Sequence, residues 1–175
     1  DLLARTIKLS HMRIGTGVGA NDVETLLRSL PTLEVRYSTQ DLHARKIAQW
    51  CESQSVFAQV LHPALVQSPG HLHWKNICVN PKYPEGRCAG IFSVVVDARF
   101  LTAQVDAFCD ALRIFKIGYS WGGPMSLVVP YQKNNLRTLA TPHLQDGTLV
   151  RFCIGLEDVP DLIADLEQAI SLTLV

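Results

Sequence analysis

The sequence predicts an α+β fold: a small, largely antiparallel sheet with helices on one face. Two observations carry that expectation. Apolar residues recur at helical spacing in separate stretches, several opened by a residue suited to cap a helix. Between them lie short runs rich in β-branched residues, too few and too irregularly interleaved for a regular βαβ array.

Asp1 to Ser10 mixes apolar and basic residues without a clear period. Gly15-Thr16-Gly17-Val18-Gly19 faintly resembles a dinucleotide-binding loop, but its spacing is wrong and no strand precedes it, so a flexible connection is expected. Asn21 or Asp22 can cap a helix carrying Val23, Leu26, Leu27 and Leu30 on one face, which Pro31 kinks or ends. A second helix places Ala44, Ile47, Ala48 and Cys51 inward, with Asp41, Arg45, Lys46, Gln49 and Glu52 on a solvated face. Val56 to Leu61 reads as a strand stopped by His62-Pro63, and the proline- and glycine-bearing stretch from Gln67 to Gly86 as mostly loop.

Gly90 to Val96 is the clearest strand. Thr102 can cap a helix with Val105, Phe108, Cys109 and Leu112 inward. Ile114 to Tyr119 leads into a turn, Leu127 to Val129 is a strand ended by Pro130, and Lys133 to Asp146 is a polar connection. Leu149 to Ile154 is a further strand. Asp158 caps a last helix with Leu162, Ile163, Leu166, Ala169 and Ile170 inward, and Glu157, Asp158 and Asp161 suit its positive N-terminal end.

Sixteen basic and sixteen acidic residues balance, which gives no attraction to nucleic acid or to an anionic membrane surface. No apolar stretch is long enough to cross a membrane, and the N-terminus is no signal peptide. Five scattered cysteines with no C-x-x-C spacing read as reduced thiols of a cytoplasmic protein. His71 and His73 stand at i, i+2, but no carboxylate or thiolate pattern completes a metal set, so no metal is expected.

One candidate site stands out. Gly118-Tyr119-Ser120-Trp121-Gly122-Gly123 is a turn where backbone can approach a ligand closely. Arg151 lies in the middle of an apolar strand, where a buried guanidinium needs an anionic partner. Ser120, Trp121 and Arg151 are taken together as one binding site. On the residues alone, Trp121 also suits a packed turn aromatic, and Arg151 an ion pair with Asp146 or Glu157.

At Ser120-Trp121-Gly122-Gly123 and at Arg151-Phe152-Cys153-Ile154-Gly155-Leu156-Glu157-Asp158 the chain resembles the pyridoxal-phosphate enzymes of cysteine and methionine metabolism, on their cystathionine β-lyase branch. His62-Pro63-Ala64-Leu65, Ser68-Pro69-Gly70-His71, Trp74, Arg28-Ser29-Leu30-Pro31-Thr32-Leu33 and the ending 155–167 fit the same pattern. The resemblance implies the C-terminal domain of a fold type I enzyme: residues 1–30 a connecting segment, residues 31–175 the domain itself. It implies elimination of cystathionine to homocysteine, pyruvate and ammonia in methionine biosynthesis, with pyridoxal phosphate as cofactor. Arg151 would grip the substrate α-carboxylate, the Ser120-Trp121 backbone would complete that grip, and Trp121 would wall the pocket. The Schiff-base lysine and the residues holding the cofactor would lie upstream of Asp1, since none of the six lysines sits in that context. No catalytic residue is expected in this chain, which would be inactive alone. Its partners would be the cofactor-binding domain of the same enzyme and further copies, a homotetramer in the complete protein. A γ-lyase or methionine lyase fragment, and a stand-alone non-catalytic binding domain, remain as alternatives.

Overall fold

The computed structural model describes residues 1–15, 17–131 and 142–175. They divide into two compact units, Asp1–Glu34 and Val35–Val175.

The first unit is helical. Helix α1 (Leu2–Ile14) is capped by the Asp1 side chain and ended by Gly15 in the left-handed region, φ 71°. The sequence reading missed this helix, because its apolar residues, among them Leu3, Ile7 and Met12, form no buried face that periodicity could report. Helix α2 (Ala20–Ser29) starts at Gly19 rather than at a capping Asn21 or Asp22, and Arg28 pairs with Glu24 one turn earlier at 2.6 Å. A 3-10 turn over Leu30–Thr32 absorbs Pro31, and α3 (Leu33–Glu52) follows. The apolar stripe of α2, including Val23, Leu26 and Leu27, is exposed rather than inward.

The second unit is built on a five-stranded sheet in the order β1-β2-β5-β4-β3. Its strands are β1 (Phe57–Leu61), β2 (Ile91–Asp97), β3 (Lys116–Ile117), β4 (Leu127–Tyr131) and β5 (Gly147–Cys153). The β1–β2, β2–β5 and β4–β5 pairs are antiparallel, and the short β3–β4 pair is parallel. The fold class is therefore α+β with a mostly antiparallel sheet, as the sequence predicts. Strand β4 runs through Pro130 instead of ending before it; β3 reaches only as far as Val128, so no strand among the described residues asks Pro130 for an amide on that side.

One face of the sheet carries the core. Phe92, Val94 and Val96 of β2, Val150 and Phe152 of β5 and Val128 of β4 meet Ala44, Ile47, Ala48 and Cys51 of α3. Helices α5 (Thr102–Ala111) and α6 (Val159–Thr173) add Val105, Phe108, Leu162, Leu166 and Ala169. Phe92, Phe152 and Phe115 stack in series at ring separations of 5.6 and 5.4 Å. The opposite face carries Ser93, Val95, Val129, Leu149, Arg151 and Cys153.

Three other expectations need correction. Residues 71–78 form a helix, α4 (His71–Cys78), not loop: Gly70 at φ 81° and the Trp74 indole, which donates to Arg87 O at 2.9 Å, organise a stretch that its prolines and glycines disguise. His71 and His73 lie on this helix, and His71 Nδ1 sits 2.8 Å from Pro63 O. Asp41 is buried, not solvated: it pairs with Arg45 at 3.3 Å and accepts the Cys88 amide at 2.8 Å, so these two polar positions tie α3 to the loop before β2. The polar connection expected from Lys133 to Asp146 falls largely outside the described residues.

Asp165 of α6 is likewise buried, and its carboxylate accepts the amides of Arg113, Ile114 and Phe115 at 2.8, 2.8 and 3.2 Å. It fixes the segment that enters β3. His62, fully buried at the end of β1, accepts the Ala64 amide on Nδ1 at 3.2 Å, which leaves its Nε2 proton without a partner among the described residues. Burial, with Arg45 nearby, lowers its pKa from 6.5 to about 4.

Two predictions follow from this packing. Phe92→Ala and Leu166→Ala should each cost roughly 2–5 kcal/mol, the range for large-to-small core changes, read as a lowered urea midpoint. His62 is neutral in the fold while the unfolded chain takes up its proton below its ordinary pKa. Stability should therefore fall as pH drops from 6.5 to about 4. The loss from this residue is about 3 kcal/mol at full development. His62→Asn, which keeps an acceptor for the Ala64 amide, should flatten urea midpoints across that window; an unchanged slope would assign the acid sensitivity elsewhere.

Candidate functional site

The site is made by the connection between β3 and β4. Two parallel neighbours cannot be joined by a hairpin, so residues 118–126 must leave the sheet edge and return to the start of β4. The connection meets the strand end and the loop after β5 on its way.

Its first half is held by Arg151. In the sheet Arg151 lies between Ser93 of β2 and Val129 of β4, on the face away from the core. Its Nη2 donates to Tyr119 O at 2.8 Å, with Gly118 O and Ser120 O at 3.4 and 3.5 Å. Three successive carbonyls thus converge on one guanidinium nitrogen. The Tyr131 ring lies 5.8 Å from the guanidinium carbon, and Tyr119 meets Tyr131 edge-on at 6.3 Å. The Arg151 Nε is buried and has no partner among the described residues. Gly122 donates its amide to Cys153 Sγ at 3.3 Å, and burial pushes that thiol up.

The second half is held more tightly. Gln40 of α3 donates to Gly123 O at 2.7 Å, and the Leu156 amide donates to Pro124 O at 2.8 Å. Glu157 accepts both the amide and the hydroxyl of the fully buried Ser126, each at 2.8 Å, and Ser126 Oγ accepts the Gly155 amide at 2.9 Å. Gly155 has no room for a side chain: a Cβ there would lie 2.3 Å from Pro124 O.

The structure brings Arg151 and the backbone of Ser120 together, as the sequence grouping expected. Trp121, in the same turn, is 66% exposed in the chain and is not a packed aromatic. Arg151 forms no ion pair among the described residues; Glu157, one of its two candidate partners, spends its carboxylate on Ser126. Sequence reasoning missed Gln40, Ser126 and Glu157 as the groups that shape the turn. It gave Glu157 a helix-end role and a candidate ion pair with Arg151, but not its bonds to Ser126. No group of three histidines, cysteines or acids is placed to hold a metal among the described residues. No helix among them is long and apolar enough to cross a membrane.

Comparison with known proteins places these motifs in context. Residues 2–171 match the family described as Cys/Met metabolism PLP-dependent enzyme. The chain is 36% identical over 155 residues to a cystathionine beta-lyase of Salmonella typhimurium, covering 87% of this chain and 38% of that protein. It is 32% identical over 162 residues to an L-alanine/L-glutamate racemase of Wolbachia pipientis, covering 93% of this chain and again 38% of the relative. The chain therefore spans under two fifths of the length of these curated relatives. Among solved structures, the O-acetylhomoserine sulfhydrylase of Wolinella succinogenes superposes over 96% of this chain and 43% of its own with a TM-score of 0.75 at 21% identity, a likeness of fold.

The close fit at Gly155 yields a prediction. Gly155→Ala forces a methyl group against Pro124 O and should destabilise the chain by about 1–3 kcal/mol, the usual cost of overpacking. Amide exchange should localise the damage to Gly122–Ser126; a uniform effect across the sheet would show that the glycine does not govern the connection.

Proposed function

The chain belongs to the pyridoxal-phosphate-dependent enzymes of cysteine and methionine metabolism, and from that premise we propose that it is the substrate-gripping C-terminal domain of a carbon–sulfur lyase of the cystathionine β-lyase kind. The observation that carries the proposal is Arg151: a guanidinium with one nitrogen seated on the 118–120 carbonyls and a buried Nε donor left without a partner. A buried donor of this kind is satisfied by an anion, and a planar fork suits a carboxylate. The α-carboxylate of an amino acid is the anion every substrate of such a lyase carries. Ser120 and Trp121 stand beside it, the first at the rim of the grip and the second as a wall.

The residues described here fit the substrate end and not the cofactor's attachment. Lys8, Lys46, Lys75, Lys82 and Lys116 are all exposed, whereas an attaching amine needs a desolvated pocket that lowers its pKa. Lys133 lies outside the described residues. When bound, pyridoxal phosphate supplies the electron sink for charge that develops at Cα. What this chain contributes is binding and orientation. A two-point grip on the carboxylate fixes the carboxylate plane, and with the amine end of the substrate also held, the remaining substituents of Cα keep one orientation toward the reacting groups. The proposed reaction is elimination of cystathionine to homocysteine, pyruvate and ammonia. In this proposal residues 1–30 connect to a cofactor-binding domain of the same enzyme, the complete enzyme is a cytoplasmic homo-oligomer, and the chain alone is inactive.

The similarity to a Bacillus subtilis cystathionine gamma-lyase, 29% identical over 169 residues, keeps γ-elimination as the second reading. Steady-state product analysis separates the two: β-elimination yields homocysteine and pyruvate, γ-elimination cysteine and 2-oxobutyrate.

In the complete enzyme Arg151→Ala should reduce kcat/KM by about two orders of magnitude, because a charge-assisted hydrogen bond contributes about 1.5–3 kcal/mol and two would act together. Arg151→Lys should recover only part, since an ammonium lacks the fork. Near-normal kcat/KM in Arg151→Ala would make this residue a brace for the turn and nothing more. Mixing this chain with pyridoxal phosphate and borohydride should label no lysine stoichiometrically and release no pyruvate.

A further inference from the structure

We propose that Glu157 is a positioning residue for the carboxylate grip, acting through Ser126 and the 118–126 connection on the Arg151 guanidinium. The inference rests on the reading of Arg151 as the carboxylate-binding group.

The connection is tied down at its two ends, and between them the Gly122 amide donates to Cys153 Sγ and Gly123 O accepts from Gln40. At its far end four hydrogen bonds converge: Glu157 takes the Ser126 amide and hydroxyl, Gly155 donates to the same hydroxyl, and Leu156 donates to Pro124 O. At its near end the carbonyls of Gly118, Tyr119 and Ser120 face Arg151 Nη2. Tyr119, Ser120 and Trp121 are exposed, so no core packing sets where those carbonyls point. Their placement is set by the hydrogen bonds along the connection, and these are densest at the Glu157 end.

The bonding at Ser126 has a direction that only a carboxylate satisfies fully. Ser126 Oγ accepts the Gly155 amide, so its proton must be donated, and Glu157 Oε2 receives it at 2.8 Å. Oε1 takes the Ser126 amide at the same distance. Glutamine at this position keeps an acceptor for the Ser126 amide, but its NH2 faces Ser126 Oγ and leaves the hydroxyl proton without that acceptor. Loss of the side chain leaves the amide of a fully buried residue without a partner, and the connection must shift to find one. Such a shift moves the 118–120 carbonyls off Arg151 Nη2 and lets the fork rotate. Glu157 touches no substrate in this scheme; it sets the plane of the group that does.

The test compares two ligands in the complete enzyme: L-methionine, which carries the α-carboxylate, and its decarboxylated amine, 3-(methylthio)propylamine, which does not. Affinities are titrated for wild type, Glu157→Ala, Glu157→Gln, Ser126→Ala, Arg151→Ala and the Glu157→Ala/Arg151→Ala double variant. Glu157→Ala should weaken L-methionine roughly tenfold or more, the order expected when a charge-assisted hydrogen bond is misaligned. It should leave the amine unchanged. Glu157→Gln and Ser126→Ala should fall between wild type and Glu157→Ala, and the double variant should lose no more than Arg151→Ala alone. Equal weakening of both ligands, or losses that simply add in the double variant, would make Glu157 a structural residue and overturn the proposal. If Glu157→Ala fails to fold, the same ligand comparison on Glu157→Gln and Ser126→Ala decides it. Should Arg151→Ala itself leave the preference for L-methionine over the amine intact, the reading of the grip is wrong; should Arg151→Ala abolish that preference while the Glu157 variants keep it, only the positioning role fails.

Discussion

Parallel pairing of β3 with β4 is the constraint from which the rest of the site descends. Antiparallel neighbours can exchange chain through a tight turn, but parallel ones need a return path across the sheet. Here the path is short and carries no helix of its own, so it has little core to hold it and relies on hydrogen bonds. The chain supplies them from three directions: a strand arginine, a buried glutamine from α3, and the Gly155-Leu156-Glu157 segment before α6. Asp165 fixes where the path begins by gathering the amides of residues 113–115. Polar side chains thus perform a task that apolar packing performs elsewhere in the molecule.

The core and most regular elements were legible in the sequence because they obey simple periods. Ala44, Ile47, Ala48 and Cys51 share a helix face, and β2 announces itself by consecutive valines. What escaped was structure that periodicity does not encode. Helix α1 has no buried stripe, and α4 is a short helix between turn residues, anchored by one indole and one glycine. Asp41 looked like a solvated charge because a sequence cannot show that an amide from a distant loop awaits it.

The site was half legible. A lone arginine in an apolar strand is conspicuous, and its convergence with the Ser120 turn is a fact of three dimensions that the motif order anticipated. The direction of support was not. Glu157 sits beside a helix start, where an acid has an ordinary electrostatic reason to be, and that reason concealed its bonds to Ser126. An acidic residue at a helix end therefore deserves to be checked against loops far away in sequence before its role is assigned to the dipole.

The proline in β4 has one more consequence. Sheets with bare margins recruit strands from other molecules, and amyloid-like stacking starts at such margins. Along β4 the pairing with β3 stops at Val128, yet the next positions offer Pro130, whose ring has no amide to extend a ladder. At the opposite margin the pairing of β1 shifts register between Phe57 and Gln59, which spoils the regular spacing an incoming strand would need. Among the described residues both borders of the sheet thus offer little regular template for an incoming strand, a protection against self-association that matters most while the chain is newly made and its core has not yet closed.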